Sequence, residues 1–115
     1  MTAREVRRLA LALPEAEERP HWGKPSFRVR GRIFARLEPR NQRAVLKLSL
    51  EEQDVLGQAQ PTVFKLTSWG HQGWTSVLLQ RVDPWLFEEL LVGAWRRLAP
   101  RRAVSRWEAD RRAQA

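Results

Sequence analysis

Residues 26–37 read Ser26-Phe27-Arg28-Val29-Arg30-Gly31-Arg32-Ile33-Phe34-Ala35-Arg36-Leu37. Apolar and basic residues alternate on both sides of a glycine, which is the two-residue period of a hairpin with one buried and one wet face. With a loop at residues 30–32, Val29 should face Ile33. Arg28 and Arg36 should point outward with Phe34 between them, which makes that sheet face basic and partly aromatic. The residues expected to point inward are Phe27, Val29, Ile33, Ala35 and Leu37.

Capping residues predict the starts of three helices. Thr2 with Glu5, and Ser49 with Glu52, form capping boxes, because each Ser or Thr is followed three residues later by Glu. Asp83 should cap the last helix and place a proline at its first position, where a missing N–H is tolerated. The breakers expected to end these helices are Pro14, Gly57 and Pro100.

Further strands are predicted at residues 43–48, 61–66 and 74–79, whereas residues 15–18 are expected to be an acidic linker. In the first of these strands, Ala44, Leu46 and Leu48 should point inward, and Arg43, Val45 and Lys47 outward. This order of elements predicts an α+β domain with an antiparallel sheet and helices packed on one face. We expect that domain to span residues 1–102, followed by a charged C-terminal tail at residues 103–115.

Composition narrows the classes of protein to consider. The 115 residues suit one domain, and the lack of cysteine excludes disulfides and thiolate chemistry. No apolar run approaches the roughly 20 residues that span a bilayer, so we expect a cytoplasmic protein without a membrane partner. The net charge is +8, and residues 1–37 hold nine basic against four acidic residues. Such a field attracts polyanions. Neither composition nor motif specifies an oligomeric state.

Two segments have no strand or helix period: His21-Trp22-Gly23-Lys24-Pro25-Ser26-Phe27 and Trp69-Gly70-His71-Gln72-Gly73-Trp74. Together with Leu13-Pro14-Glu15-Ala16-Glu17-Glu18, Lys47-Leu48 and Asp83-Pro84, they resemble the MmcQ/YjbR family of small bacterial proteins. The resemblance covers residues 4 to about 102, in order. It implies a CyaY-like α+β fold and DNA binding through a double-wing arrangement, and it implies no catalytic residue.

The residues themselves also favour binding over catalysis. His21 and His71 lack metal-ligand spacing, and no cysteine is present to complete a zinc site. Ser26 is not in a nucleophile elbow, and the glycines lack the spacing of a phosphate loop. We therefore expect no enzymatic activity, no cofactor and no metal.

The predicted function is weakly specific DNA binding through the basic hairpin face. The expected contacts are Lys24, Arg28, Arg30, Arg32, Arg36, Arg43 and Lys47. Two alternatives remain: an acidic protein partner on the same face, or a small molecule in a pocket between the tryptophan motifs. The residues of that pocket would be His21, Trp22, Trp69, His71 and Trp74. These tryptophans either close one end of the core or form an exposed wall that stacks on aromatic rings.

Overall fold

The computed structural model describes residues 1–114, which form one six-stranded antiparallel sheet and four α-helices. The strands are β1 (Ala16–His21), β2 (Lys24–Val29), β3 (Arg32–Glu38), β4 (Arg43–Lys47), β5 (Phe64–Leu66) and β6 (Trp74–Leu78). The helices are α1 (Ala3–Leu11), α2 (Leu50–Ala59), α3 (Pro84–Leu98) and α4 (Arg101–Gln114). The strand order across the sheet is β1-β2-β3-β4-β6-β5. The α+β fold class predicted from the sequence is confirmed.

One face of the sheet carries the helices. Val6 of α1, Phe87 and Trp95 of α3, and Ala103 of α4 join the inward side chains of the strands in a single apolar core. Helix α2 lies on the same side of the sheet. Its Gln53 Nε2 donates to Thr75 Oγ1 at 2.8 Å, and Thr75 pairs with Leu46, an inward residue of β4. The other face of the sheet has no helix over it within residues 1–114.

The predicted helix caps are present. Thr2 Oγ1 accepts from the N–H of Glu5 at 3.1 Å, and Ser49 Oγ accepts from the N–H of Glu52 at 3.0 Å. Asp83 Oδ2 accepts from the N–H of Leu86 at 2.9 Å. The predicted end of α2 at residue 57 is wrong. The helix continues through residue 59, because its glycine adopts helical geometry there rather than a turn.

The acidic segment predicted as a linker forms the first half of strand β1. It pairs along its whole length with β2, from Ala16 opposite Val29 to the turn between the strands. Glu18 accepts two hydrogen bonds from the Arg7 guanidinium, at 2.8 and 3.1 Å, which ties this edge strand to α1. That hydrogen bonding, and then the attraction between the opposite charges, raises the pKa of Arg7. Backbone pairing, rather than an alternating apolar pattern, makes this segment a strand.

The turn between β2 and β3 is shorter than the sequence predicts. It consists of Arg30 and Gly31, both left-handed at φ 54° and 76°, as in the two-residue turns that match the twist of a hairpin. Val29 therefore pairs with Arg32, and the expected Val29–Ile33 pairing is wrong.

A β-bulge in β3 then changes which side chains face inward. Arg28 pairs with Ile33 and Phe27 pairs with Ala35, so Phe34 is an extra residue in β3. Both Phe34 and Ala35 lie in the core, whereas Ile33 lies on the open face beside Arg28. The predicted orientations of Ile33 and Phe34 are thus exchanged. The remaining inward residues are buried as predicted: Phe27, Val29, Ala35, Leu37, Ala44, Leu46 and Leu48.

Helix α4 contains the described part of the charged tail. Its Ala103 is buried, and the ring of Trp107 lies 6.2 Å from that of Trp95, measured between centroids. The guanidinium groups of Arg96 and Arg111 each lie 5.1 Å from the centre of the Trp107 ring. This helix therefore contacts the core through Ala103 and through an aromatic side chain that lies beside two cations.

Trp95 should be a major determinant of stability. It is fully buried, and its Nε1 donates to the carbonyl oxygen of Pro14 at 3.1 Å. Trp95→Ala should lower the free energy of unfolding by about 3–5 kcal/mol, as large aromatic deletions do. Trp95→Phe keeps most of the packing but leaves the Pro14 carbonyl oxygen without its hydrogen-bond donor. It should lower the free energy of unfolding by about 1–3 kcal/mol. Thermal and urea denaturation would measure both changes.

The matched control is Trp85→Ala, because Trp85 is 78% exposed on the helical side of the molecule. Its effect should stay within about 0.5 kcal/mol, as for most surface substitutions. An unchanged melting midpoint for Trp95→Ala would contradict the packing described above.

Candidate functional site

A cavity of about 590 Å³ lies on the open face of the sheet. Its floor comes from the central strands, with Ile33 and Arg36 of β3 and Val45 of β4. Val45 is buried although it belongs to the helix-free face, where its cross-strand neighbours are Arg36 and Ser76. One wall comes from the β1–β2 turn and the other from the β5–β6 connection. The wall residues are His21, Trp22, Thr67, Trp69, Gln72 and Trp74.

The first wall depends on a strained turn. Trp22 and Gly23 both adopt left-handed backbone geometry, at φ 55° and 79°, between the paired ends of β1 and β2. Asn, Asp and Gly dominate such positions, and a bulky residue there is an outlier. Trp22 is nevertheless 90% exposed, with the His21 ring edge-on to it at 6.1 Å. Neither core packing nor turn chemistry explains an indole at this position.

The second wall is fixed by hydrogen bonds to the backbone. Thr67 Oγ1 donates to the carbonyl of Trp74 at 3.0 Å and accepts from the N–H of Trp69 at 3.1 Å. The N–H of Leu48 donates to the carbonyl of Gly73 at 2.9 Å, which ties this connection to the end of β4. Trp69 is 60% exposed. The two indoles of this wall are therefore held in place without being buried.

Arg36 gives the floor of the cavity its polar character. Its Nε is buried and has no hydrogen-bond acceptor among residues 1–114. Its Nη2 lies 3.6 Å from Glu38 Oε1, and the same carboxylate accepts a hydrogen bond from Lys24 Nζ at 3.2 Å. The Arg36 side chain as a whole is 30% exposed, so a ligand can reach the part that lines the cavity but not the buried Nε–H.

Arg43, on the next strand, has a different environment. Its Nε donates to Ser76 Oγ, and its Nη2 donates to the carbonyls of Val63 and Ser76 at 3.2 and 3.3 Å. These bonds join β4 to β6 and to the segment before β5. The guanidinium of Arg43 therefore serves mainly to hold the sheet together.

The other predicted cations are distributed over two sides of the sheet. Arg28 lies on the open face, with its Nε 3.4 Å from Ser26 Oγ, and Lys47 Nζ lies 5.5 Å from the centre of the Trp74 ring. Arg30 is exposed at the tip of the hairpin. Arg32 pairs with the inward residue at position 29, so the pleat directs it to the helical side. The predicted basic face thus contains Lys24, Arg28, Arg36, Arg43 and Lys47.

Four of the five residues proposed for a pocket line the cavity: His21, Trp22, Trp69 and Trp74. His71 does not line it, although its ring lies 6.2 Å from that of Trp69. The sequence pattern predicts Arg36 and Val45 on the outer face but not in a pocket, and it places Ile33 in the core because it does not reveal the bulge. Thr67 and Gln72 carried no signal in the sequence.

Ser26, the residue considered as a nucleophile, takes part in the pairing of two strands. Ser26 is buried, and its Oγ donates to the carbonyl of Arg19 at 2.7 Å, which joins β1 to β2. Within residues 1–114, no three His, Cys, Asp or Glu side chains come together as a metal site would need. In the same part of the chain, no helix is both long enough and apolar enough to cross a bilayer.

Comparison with known proteins agrees with this architecture. The YjbR family model matches residues 11–97. The chain belongs to the YjbR family. Among solved structures it is similar to Deinococcus radiodurans protein DR2400, a DUF419-domain protein, with 25% identity and a TM-score of 0.75. The match covers 82% of this chain and 75% of the other. No curated protein matches the sequence. The resemblance inferred from the motifs is confirmed.

The second wall should depend on Gly73. This residue is left-handed at φ 95°, and a Cβ added there would overlap the carbonyl oxygen of Leu48. Gly73→Ala should therefore destabilise the fold by more than about 1 kcal/mol, because both the backbone angle and the close approach are lost. Urea denaturation would measure the loss, and the indole NMR signals of Trp69 and Trp74 should move.

Gly57→Ala is the matched control. This glycine is helical, and a Cβ there would meet no atom within 4 Å. The substitution should stabilise the protein by about 0.5–1 kcal/mol, the usual gain for alanine over glycine in a helix. If Gly73→Ala were as stable as the unmodified protein, the close contact with Leu48 would be refuted.

Proposed function

We propose that this YjbR-family protein is a non-enzymatic, weakly specific DNA-binding protein that holds single strands against the open face of its sheet. The observation that carries the proposal is the combination, on one helix-free face, of cationic side chains and exposed indoles. Its proposed compartment is the cytoplasm, which suits a chain without cysteine.

The cations would supply most of the affinity. Arg28, Arg30 and Lys47 make no ion pair within residues 1–114, so their charges are available to phosphates. Each phosphate that they neutralise releases condensed counterions, which makes binding favourable but weak at physiological salt. Contacts of this kind position the strand and carry no sequence information, which accounts for weak specificity.

The indoles favour single strands over duplexes. Trp22 and Trp69 expose their ring faces, and such faces stack on unpaired bases of any sequence. In a duplex the bases are already stacked on one another and cannot meet an indole. The first turn of α2 carries Glu51 and Glu52, so this helix would be repelled from a DNA groove.

Salt titration tests this proposal. With about four phosphates neutralised, log K for a single strand should fall with log salt at a slope of about −3, at roughly 0.7 per phosphate. Replacing Arg28, Arg30 and Lys47 with glutamine should flatten that slope by about two units, since three contacts are lost. Fluorescence anisotropy of a labelled single strand and of its duplex, at several salt concentrations, provides the measurement.

The control replaces three exposed arginines on the helical side with glutamine: Arg4, Arg8 and Arg101. It changes the net charge by the same amount, so a general loss of positive charge would affect both variants alike. The control should retain the slope of the unmodified protein. Equal slopes in all three proteins would place the contact elsewhere, and no binding of either DNA at low salt would refute the proposal in favour of an acidic partner.

A further inference from the structure

We infer that the open-face cavity is a binding site for one planar aromatic ring of the nucleobase type, with hydrogen-bond acceptors at its edge. One source of this ring is an unpaired base of a bound DNA strand, and for that source the inference rests on the proposed function. A free nucleotide would present the same chemistry, and the experiment below separates the two sources.

The size and walls of the cavity fit such a ring. Its volume of about 590 Å³ falls within the range of small-molecule sites, which is about 300–1,000 Å³. Trp22 stands on one side of the central strands, and Trp69 and Trp74 stand on the other. Aromatic faces on opposite walls, over an apolar floor of Ile33 and Val45, provide the stacking surfaces that a flat ring requires.

The backbone at Trp22 is a second and independent observation. A bulky residue in the left-handed region is strained, and strain of this kind concentrates at binding sites. Here the strained residue is also the most exposed large apolar side chain, so it gains no packing energy in return. A ring stacked on the indole would provide the contact that the fold does not.

Arg36 determines which part of a nucleotide enters. Its side chain lines the cavity and is 30% exposed, so a carbonyl oxygen or ring nitrogen of the ligand could accept from an accessible guanidinium N–H. The Glu38 carboxylate, 3.6 Å from Nη2, would repel a phosphate at the same place. The uncharged ring edge therefore enters the cavity, and the phosphate stays outside, near the cations of the open face.

The six tryptophans provide a direct test, because each gives one indole N–H signal by NMR. The probes are the four deoxynucleoside monophosphates, with deoxyribose 5-phosphate as the ring-free comparison. The nucleotides should shift the signals of Trp22, Trp69 and Trp74. The signals of the tryptophans outside the cavity should stay fixed, and these are Trp85, Trp95 and Trp107. The ring-free probe should shift none of the six.

Two substitutions measure the contributions of the wall and the floor. Trp22→Ala should weaken nucleotide binding by about 5- to 150-fold, the loss expected for one base–aromatic stack. Arg36→Met keeps an apolar chain in place of the arginine stem and removes the guanidinium donors, so it should weaken binding by about 10- to 150-fold, as expected for one hydrogen bond to a charged group. The controls are Trp85→Ala and Arg4→Met, which alter an exposed indole and an exposed arginine outside the cavity and should bind as the unmodified protein does.

The results separate this inference from the proposed function. Salt-dependent binding of a single strand, without nucleotide-induced shifts at the three cavity indoles, would overturn the ring site and leave the proposed function standing. Shifts confined to those indoles, without strand binding, would support the ring site with a free nucleotide as its source and refute the proposed function. Equal shifts at all six indoles, or with the ring-free probe, would overturn the inference.

Discussion

The β-bulge at Phe34 is the constraint on which both faces of the sheet depend. In a regular strand side chains alternate, so Phe34 would share the open face with Arg36, and Ile33 would point into the core. The extra residue places Phe34 and Ala35 together in the core and leaves Ile33 on the open face. Without the bulge a phenylalanine would stand where the cavity is, so the same local irregularity fills the core and leaves the cavity open.

The environment, rather than the residue type, decides what each arginine of this face does. Arg43 donates three hydrogen bonds to two neighbouring segments and holds strands together, whereas Arg36, one strand away, retains a buried donor without an acceptor. The Glu38 carboxylate forms ion pairs with both Arg36 and Lys24 and so offsets part of their positive charge. A count of basic residues therefore overstates the free positive charge of this face.

Features set by residues close in sequence could be predicted, and features set across strands could not. The capping boxes at Thr2 and Ser49 need a partner only three residues away, and the inward pattern of β2 and β4 follows from the pleat alone. The sequence does not predict strand β1, because this edge strand has no alternating apolar pattern. It is formed by backbone pairing with β2. The tryptophan motifs located most of the cavity wall. The floor of the cavity depends on the β-bulge in β3, which an alternating pattern of apolar and polar residues does not reveal.

The apolar core and the exposed indoles lie on opposite faces of the sheet. The helical face holds the continuous core and the Trp95 hydrogen bond, so the open face can tolerate exposed indoles and a strained turn. The full β1–β2 ladder on either side of Trp22 supports the left-handed geometry of that residue. Thr67 and Gly73 do the same for the opposite wall through backbone contacts that involve no indole. Because the supports are made by backbone and small side chains, Trp22 and Trp69 keep most of their ring surface exposed.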